Sequence, residues 1–507
     1  MFIKLKSATL YGLECRAVDV EIDINRGQNN FVIVGLPDTS IQEAKPRLYC
    51  AIKNSGFDYP YNYRILVNLA PADLHKEGSF YDLAMAVGLV CLHQGYKCFF
   101  EDSLFVGELA LDGSLRPTTG VFPLACYARE QGFKKIFLPS ANLNEVSSLN
   151  NLDIYPTDNL KQLINHLNNK QLIAKFETTD KNKIKIKNNP IINQFDFSQI
   201  KGQNFAKRAL EIAASGGHNL LLNGQPGAGK TLLARSLPSI LPPLSFEEAL
   251  EVAKIYSVAG QSFDCLPQTR PFRSPHHTAS TASLIGGGRH PKPGEITLAH
   301  RGVLFMDELP EFNRSLLESL RQPLEDGLVT VTRIRGRCVF PARFMLIASQ
   351  NPCPCGYYGD PQQNCVCTVN QISNYNKKLS GPMMDRIDMH VQVARLPTEK
   401  LINNQETENS STIRQRVKAA RQIQTKRFAN HKIYSNSEMD GALIKKFCCL
   451  PKPAQKILFN AVDHFGLSAR SHDRILKVSR TIADLEQSDV INANHIAEAL
   501  QYRFKQN

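Results

Sequence analysis

The chain has 507 residues, of which 42% are apolar and 21% charged, a composition typical of a globular protein with several domains. No run of about 18 or more apolar residues and no secretory signal is present, which argues against a membrane-spanning protein and, with thirteen cysteines, predicts reduced thiols in a cytoplasmic protein. The net charge of +13 favours a nucleic-acid partner over a neutral one.

The first zone of the chain, residues 1–172, is predicted to form an α/β domain. Short β-type runs (FVIVGLP, YRILVNLAP and KKIFLPS) alternate there with helical stretches such as YDLAMAVGLVCLH and FPLACYAREQG. Residues 173–194 include the lysine- and asparagine-rich run KFETTDKNKIKIKNNP. We interpret this run as a linker, although the same residues suit an exposed edge strand.

The second zone, residues 195–396, is predicted to be an α/β core. It opens with a helix, breaks at Gly216 and Gly217, and continues into the buried strand NLLLNG. Residues 397–412 form a polar linker, and residues 413–507 have an almost entirely helical pattern that predicts an α-helical lid. The apolar residues that recur at helical spacing in the first helix are Phe205, Ala209, Ile212 and Ala213.

A phosphate-binding loop is predicted between the strand and the next helix of this core. The segment GQPGAGKT fits the P-loop pattern, in which glycine backbone N–H groups surround the phosphates. Lys230 is expected to reach the β- and γ-phosphates, and Thr231 to offer its hydroxyl to magnesium, so the sequence predicts an MgATP site. The residues assigned to the nucleotide are Gly224, Gln225, Pro226, Gly227, Ala228, Gly229, Lys230, Thr231 and Leu232.

A second part of this site is predicted in the segment GVLFMDE. Residues 303–306 indicate a strand buried on both faces, and two carboxylates follow at its carboxyl end, where ligands bind in open α/β sheets. We expect Asp307 to hold the magnesium through water and Glu308 to polarise the attacking water. The two acids alone would also suit a solvated loop, but with the P-loop they predict an ATP hydrolase.

Two insertions interrupt the predicted core. The chain between Lys230 and Asp307 is much longer than the roughly 30 residues of one βαβ unit, and its basic, glycine-rich part begins at Arg270. A second excursion, EDGLVTVTRIRGRCVFPARFMLIAS, alternates like a β-hairpin. Its predicted faces carry Val329, Val331 and Ile334 on one side and Arg333, Arg335 and Arg337 on the other.

Six segments of the chain form an ordered series: GQPGAGKT, RPFRSPHHTAS, AHRGVLFMDELPEF, ASQNPCPCGYYGD, SGPMMDRIDMHV and SARSHDRILKVSRTIADL. In these segments and in their order, the chain resembles the ComM/YifB family of magnesium-chelatase-like AAA+ ATPases. The resemblance spans nearly the whole chain. It implies a three-layer α/β AAA+ module with an α-helical lid, assembled as a hexameric ring with ATP sites between subunits.

The resemblance also implies roles for three further polar residues. Asn351, after the strand FMLIAS, corresponds to the first sensor and would orient the lytic water. Arg386 resembles the arginine finger, which stabilises charge on a neighbour's γ-phosphate, and Arg470 resembles the second sensor. Taken singly, each is a residue type common at surfaces and helix caps. The predicted catalytic set is Lys230, Asp307, Glu308, Asn351, Arg386 and Arg470.

DNA is the partner that the resemblance implies. The first insertion and the hairpin are expected to point into the pore of the ring, where Arg333 and Arg335 would face the phosphates of single-stranded or branched DNA. The alternative is that these arginines belong to a solvated hairpin face. The family further implies a motor that drives branch migration of recombination intermediates in natural transformation.

Four cysteines lie close together in the sequence. Cys353, Cys355, Cys365 and Cys367 fall within fifteen positions and could close a tetrahedral zinc site around the turn GYYGDP. The members of each pair are separated by one residue rather than the usual two to four, which strains chelation by both. A structural zinc and free buried thiols are therefore both open readings.

Residues 66–140 resemble the proteolytic domain of Lon-type proteases. Lon peptidases use a serine and a lysine of lowered pKa as a dyad. The alignment of KEGSFYDLA with the Lon motif puts Phe80 at the serine position and Ser79 one place away, and VFPLACYA contains no lysine. We interpret the domain as a degenerate Lon fold that joins subunits or contacts DNA.

Two other functions compete with a DNA motor at this stage. A magnesium-chelatase motor subunit would remodel a partner enzyme, but the Lon-like domain and the basic hairpin argue against it. An ATP-dependent peptidase is opposed by the missing dyad.

Overall fold

The computed structural model describes residues 1–76, 78–96, 100–177, 195–288, 291–333, 336–360, 362–395 and 407–503. Most of both predicted linkers, residues 178–194 and 396–406, lies outside the described residues. Contacts divide the chain into two compact units, Met1–Lys185 with Phe246–Pro267 and Ile186–Ser245 with Gln268–Asn507. Within the described ranges, every helix is too short or too polar to traverse a bilayer.

The first unit is built on a seven-stranded mixed sheet in the order β3-β4-β2-β1-β5-β8-β9. The long β1 and β2 pair antiparallel, whereas β5, β8 and β9 run parallel to one another. Residues alternate between buried and exposed along β2 and β4, because only one face of these strands meets the core. The strands are β1 Phe2–Tyr11, β2 Glu14–Arg26, β3 Asn30–Val34, β4 Tyr63–Ala70, β5 Ser103–Phe105, β6 Glu108–Leu109, β7 Leu115–Arg116, β8 Lys135–Pro139 and β9 Asp153–Thr157.

Helices of the first unit cover this sheet. Helix α3 is apolar on all sides, and its residues 82–91 are all buried, as is typical of a helix enclosed by a core. The helices of residues 1–185 are α1 Thr39–Gln42, α2 Ala44–Asn54, α3 Asp82–Gln94, α4 Val121–Glu130, α5 Leu143–Val146 and α6 Leu160–Leu167. The α/β character predicted for residues 1–172 is thereby confirmed.

One helix of the first unit comes from far along the chain. Residues 246–267 are grouped with the first unit, although the sequence alone suggested a continuous core over residues 195–396. In the second unit α7 (Asn204–Gly216) and α8 (Lys230–Ser236) precede this segment, which contains α9 (Phe246–Val258). Ser257 of α9 accepts a hydrogen bond from the Phe122 N–H at 3.3 Å and donates to the buried carboxylate of Glu145 at 3.0 Å. These contacts join residues distant in sequence, so periodicity could not predict them.

The second unit contains a five-stranded sheet in the order β11-β14-β17-β10-β18, with every pair parallel. The chain leaves β10 for the far edge and returns to its other side with β18, so the strand order reverses beside β10. Ligands bind at such a point, beyond the carboxyl ends of the strands. The strands are β10 Leu220–Gly224, β11 Phe272–Arg273, β14 Val303–Met306, β17 Met345–Gln350 and β18 Met389–Val393.

The second unit also contains two antiparallel hairpins. The first joins β12 (Gly286–Gly287) to β13 (Lys292–Pro293) within the first predicted insertion. The second joins β15 (Leu328–Arg333) to β16 (Gly336–Pro341), and its register pairs Val329 with Phe340. Both of these side chains are buried, as are Val331 and Cys338, so one face of the second hairpin packs inward.

Helices complete the second unit and form the predicted lid. A single apolar core runs from the P-loop strand through α7 into the C-terminal helices. The remaining helices of the core are α10 Thr281–Ile285, α11 Glu295–Leu298, α12 Arg314–Ser319, α13 Arg321–Asp326, α14 Val369–Lys377 and α15 Gly381–Met384. The C-terminal helices are α16 Ser410–Arg427, α17 Gly441–Phe447, α18 Lys452–Phe465, α19 Ala469–Leu485 and α20 Ala493–Gln501.

Candidate active site

The P-loop joins β10 to α8 at the carboxyl edge of the second sheet. Gly227 and Gly229 have φ values of 76° and 90°, a left-handed backbone that glycine adopts without strain. A Cβ atom on Gly224 would lie 2.2 Å from the carbonyl oxygen of Val393, so only glycine fits beside β18. The loop therefore has the conformation that turns successive N–H groups toward a phosphate.

Lys230 lies at the start of α8 with its ammonium group over the P-loop. Its Nζ donates to the carbonyl of Gln225 at 2.9 Å and to Oδ1 of Asn351 at 2.9 Å. Burial lowers the pKa of Lys230 to about 8, against a smaller opposing effect from Asp307 and Glu308. The structure thus brings the predicted phosphate lysine and the predicted first sensor into direct contact.

Asp307 and Glu308 follow β14, whose four residues are all buried as predicted. The Thr231 hydroxyl donates to Oδ2 of Asp307 at 3.0 Å, which puts the two predicted magnesium ligands together. Glu308 is exposed and has a φ of 53°, an uncommon conformation for a residue with a side chain. Its side chain is therefore open to solvent, which suits the predicted role of polarising an attacking water.

Ser349 near the end of β17 joins these two acids and was not identified from the sequence. Its hydroxyl donates to Asp307 and accepts a hydrogen bond from the Glu308 N–H at 3.0 Å. The only sequence signal is a polar residue close to the carboxyl end of a buried strand. Ser349 fixes the orientation of the carboxylate that faces Thr231.

These groups fit MgATP on their own chemistry. A buried ammonium with carbonyl and amide partners suits a triphosphate, and a hydroxyl beside a carboxylate suits magnesium, which prefers oxygen ligands. Magnesium bound by Thr231 and Asp307 would neutralise charge on the phosphates. Lys230 can hold the β- and γ-phosphates, Asn351 can orient a water molecule, and Glu308 can accept its proton.

The two predicted arginines lie apart from this set. Arg386 is buried, and its guanidinium donates to the Pro382 carbonyl at 2.6 Å and pairs with Glu325 at 2.6 Å. Arg470, at the start of α19, pairs with the same carboxylate at 3.0 Å. Among the hydrogen bonds and ion pairs of the described residues, neither arginine reaches the P-loop, Asp307 or Glu308. The structure therefore brings Arg386 and Arg470 together around Glu325 and not around Asp307 or Glu308.

A buried ionic network anchors the strand that follows Arg386. Asp388 accepts a hydrogen bond from the Asn219 N–H at 2.8 Å and pairs with Arg474, one turn beyond Arg470. Burial alone would raise the pKa of Asp388, but Arg474 and His218 hold it well below its usual value. The side chain of Asn219 also donates to the Arg386 carbonyl at 3.3 Å. This network fixes the backbone that presents Arg386.

The four predicted cysteine ligands meet in one place. Their sulfur atoms all lie within 4.8 Å of one another, and Cys353, Cys355 and Cys365 are separated by 3.4, 3.5 and 3.7 Å. The edge of a tetrahedron with a metal–sulfur distance of about 2.3 Å is close to these values. Backbone N–H groups of Cys355 and Tyr358 donate to the sulfurs of Cys367 and Cys353. The arrangement can therefore hold a metal ion despite the short spacing of each pair.

This cysteine knuckle, residues 353–367, contacts the P-loop. Gly356 has a φ of 87°, and a Cβ atom there would lie 2.5 Å from the ring of Pro226. Asn351 precedes the first cysteine by two residues. The knuckle thus adjoins both the phosphate loop and the residue that contacts Lys230.

The predicted DNA contacts are described only in part. Arg333 ends β15 opposite Gly336, but its side chain lies outside the described part, and Arg335 lies outside the described residues altogether. Arg337 is exposed on β16, with its guanidinium 3.5 Å from the Thr330 hydroxyl. The DNA-binding role of Arg333 and Arg335 therefore stays a prediction.

In the Lon-like region, Ser79 does not contact a lysine among the described residues. Its hydroxyl donates to Glu108, while the Nζ atom of the buried Lys76 donates to the Pro71 carbonyl. Helix α4, where Lon enzymes carry their lysine, contains only apolar residues at its buried positions. The non-proteolytic interpretation stays a prediction.

Three family models match the chain. The model described as "Magnesium chelatase, subunit ChlI" matches residues 196–401, and "Subunit ChlI of Mg-chelatase" matches residues 20–142. The model described as "Magnesium chelatase, subunit ChlI C-terminal" matches residues 407–503.

Curated relatives extend this likeness over nearly the full length. The chain is 42% identical over 496 residues to uncharacterized protein YifB of Escherichia coli, covering 97% of this chain and 95% of that protein. It is 41% identical over 499 residues to competence protein ComM of Haemophilus influenzae, with the same two coverages. The magnesium-chelatase 67 kDa subunit of Chlorobaculum parvum is 29% identical over 162 residues, which is 31% of this chain and 23% of that protein.

The parallel P-loop sheet, the carboxylates after β14 and the helical C-terminal region define a P-loop AAA+ module. The chain belongs to the ComM/YifB family of magnesium-chelatase-like AAA+ proteins. Family membership and the P-loop together make it an ATPase that uses ATP and Mg²⁺.

Proposed function

We propose that the protein is a homo-hexameric motor that hydrolyses ATP between subunits and uses the energy to move single-stranded and branched DNA. The observation that carries this proposal is the separation of two half-sites. Lys230 contacts Asn351 and Thr231 contacts Asp307, whereas Arg386 and Arg470 converge on Glu325. A site of this class needs positive charge on the γ-phosphate during transfer, and a second copy would supply it.

In the proposed reaction the P-loop and Lys230 bind the phosphates of ATP. Glu308 takes the proton of the attacking water, Asn351 orients that water, and Arg386 of a second copy stabilises charge on the transferred group. Arg470 of the same second copy adds positive charge near that group. In this proposal the first set of side chains lies on α8 and directly after β14 and β17, and the second set contacts Glu325 of α13.

DNA as the substrate is supported by charge. The net charge is +13, and the segment that forms the hairpin β15–β16 contains arginines at positions 333, 335 and 337. Arginines that contact phosphates release counterions, so DNA binding should weaken as salt rises. The 41% identity to a protein called competence protein ComM supports a competence-related role. Within that role we propose a branch-migration helicase that acts on recombination intermediates in natural transformation.

Purified full-length protein, ATP, Mg²⁺ and a fluorescently labelled four-way junction provide the test. We expect ATP-dependent conversion of the junction into duplex products and binding of labelled single-stranded DNA. The variant Lys230→Ala serves as the control that binds DNA without moving it. A wild-type protein that neither binds single-stranded DNA nor moves the junction would contradict the proposal.

A magnesium-chelatase motor subunit is the second candidate, because all three family models carry that description. Such a subunit would remodel a partner enzyme and would gain nothing from DNA. ATP turnover that DNA leaves unchanged, together with an unmoved junction, would favour this candidate.

The cysteine knuckle is proposed to hold one structural zinc ion. Four thiolates at tetrahedral spacing, with N–H donors to two of the sulfurs, are the ligand set that zinc favours. Metal analysis of the purified protein should give about one zinc per chain. Cys353→Ser should lose the metal, whereas Cys449→Ser, an exposed cysteine outside the knuckle, should keep it. Metal-free wild-type protein would contradict the assignment.

A further inference from the structure

A single carboxylate holds both arginines of the second half-site. Oε1 of Glu325 lies 2.6 Å from Arg386 and 3.0 Å from Arg470. The hydrogen bond from Arg386 is the main reason why the pKa of Glu325 is lowered, against a smaller effect of burial, and the charges of both arginines add to it. Glu325 is therefore an anion that occupies the two guanidinium groups proposed to act on a neighbour's nucleotide.

The guanidinium of Arg386 has few alternatives to this partner. The side chain is 6% exposed, one end donates to the Pro382 carbonyl, and Nε is buried without a hydrogen-bond partner among the described residues. A buried guanidinium without an anion is unfavourable, so Arg386 needs a carboxylate or a phosphate. Both anions accept the same forked N–H donors, which makes the choice an exchange of one for the other.

Glu325 lies at the root of the hairpin that is proposed to contact DNA. It occupies the last turn of α13, which ends where Gly327, with a φ of 66°, donates to the Pro323 carbonyl at 3.0 Å. Strand β15 begins at the next residue, and the Ala342 N–H closes the base of the hairpin by donating to the Gly327 carbonyl at 2.7 Å. Only Asp326 and Gly327 therefore separate Glu325 from the first strand of the hairpin.

Helix α13 contacts the arginine segment at a second point. Arg321, one turn before Glu325, donates to the Ser380 hydroxyl at 3.1 Å and pairs with Glu318 at 2.6 Å. Ser380 occupies the N-cap position of α15, the short helix that leads to Arg386, without a side-chain capping hydrogen bond. The hairpin root and the arginine segment are thus joined through α13 by two polar contacts on one helix face, since residues four apart in a helix lie side by side.

We propose that Glu325 is a latch: it holds Arg386 and Arg470 on their own subunit until DNA displaces the hairpin β15–β16. The displacement withdraws the carboxylate, and the arginines then exchange it for the γ-phosphate bound by a neighbouring subunit. The latch rests on the proposed function, because it assumes that the two arginines act across a subunit interface. The latch would let bound DNA control the rate of ATP hydrolysis.

The test compares Glu325→Gln with Asp326→Asn, which removes a neighbouring exposed carboxylate without a contact to either arginine. In the full-length protein without DNA, Glu325→Gln should raise ATP turnover roughly 3- to 10-fold, because a charge-assisted pair becomes a weaker neutral one. The stimulation by DNA should shrink correspondingly, and the affinity for fluorescent ATP should stay unchanged. Asp326→Asn should behave like wild type. In Glu325→Gln/Arg386→Ala the rise should disappear.

Unchanged or lowered turnover of Glu325→Gln without DNA, at an unchanged melting temperature, would overturn the latch and leave Glu325 as a positioning residue. If Glu325→Gln does not fold, Glu325→Asp takes its place, since it withdraws the charge by one methylene group and should give a smaller rise. Wild-type turnover that does not respond to DNA would count against the proposed function and against DNA as the trigger of the latch. A rise in Glu325→Gln would then support only the restraint of Arg386 and Arg470 by Glu325.

Discussion

The P-loop side and the arginine side of the second unit differ in how their charged groups are satisfied. On the P-loop side, Lys230 contacts a carbonyl and Asn351, and no carboxylate pairs with its ammonium among the described ion pairs. On the arginine side, Arg386 and Arg470 already share the carboxylate of Glu325. Lys230 can therefore bind a phosphate directly, whereas Arg386 and Arg470 must first lose their ion pairs with Glu325. In the proposed mechanism, the positive charge of Lys230 is thus available at once, and that of the two arginines only after they leave Glu325.

Removal of the P-loop cation should produce the largest effect. Lys230→Ala deletes the ammonium that is proposed to hold the β- and γ-phosphates, and we expect ATP turnover to fall by about 100-fold or more. Steady-state phosphate release measures it. Lys418→Ala, an exposed lysine of α16, is the control for loss of one positive charge. Retained turnover in Lys230→Ala would remove the P-loop assignment and with it the first side of the comparison.

Arg386→Ala should stop turnover while fluorescent-ATP binding remains close to wild type, because the guanidinium is held away from the P-loop of its own subunit. A mixture of the two inactive variants gives a sharper test. Where an Arg386→Ala subunit meets a Lys230→Ala subunit, the first supplies an intact P-loop and the second supplies an intact Arg386. We expect partial recovery of turnover in the mixture. A mixture that stays inactive, or loss of nucleotide binding in Arg386→Ala, would make Arg386 a structural residue.

A third variant tests the anchoring of the arginine side. Asp388→Asn leaves Arg474 without its buried partner and should destabilise the second unit by roughly 3–5 kcal/mol. The pKa of Asp388 is lowered in the folded protein, so its contribution is complete above the unfolded value of about 3.9 and is lost as pH falls through the folded value. The difference in melting temperature should therefore be constant from about pH 8 to about pH 5 and shrink only below about pH 4.

The exposed Asp463→Asn of α18 is the control and should melt like wild type. A difference between Asp388→Asn and wild type that grows steadily between about pH 5 and about pH 8 would assign the stabilisation to another group, since Asp388 is already fully ionised there.

The P-loop side could be predicted from the sequence because each of its parts is local. The loop follows an apolar strand, Asp307 and Glu308 end another, and Asn351 ends a third, so the parallel sheet alone brings them to one edge. Helix α7 could also be predicted, because its apolar residues recur at helical spacing. Phe205 shows the limit of that method: it shares the helical spacing of buried residues, yet it is 40% exposed and stacks on Tyr502 at 4.9 Å.

The arginine side could not be predicted in the same way. In the sequence, Glu325 is a single acidic residue before a predicted hairpin. Its contacts with Arg386 and Arg470 exist only in the folded chain. The role of Ser349 and the grouping of residues 246–267 with the first unit were missed for the same reason. In each case the decisive contact joins segments far apart in the chain, and periodicity carries no information on such pairs.

The smallest expected effect concerns the hairpin, where the proposed trigger of the arginine side lies. Arg333→Ala with Arg335→Ala should weaken binding of single-stranded DNA and make the slope of log affinity against log salt shallower by about 1 to 2, since each phosphate contact contributes about 0.7. Lys45→Ala with Lys53→Ala on α2 removes the same charge from the first unit and should leave the slope unchanged. Fluorescence anisotropy over a salt series measures both. Equal slopes for the two double variants would make the hairpin a solvated face, and the arginine side would then need another trigger.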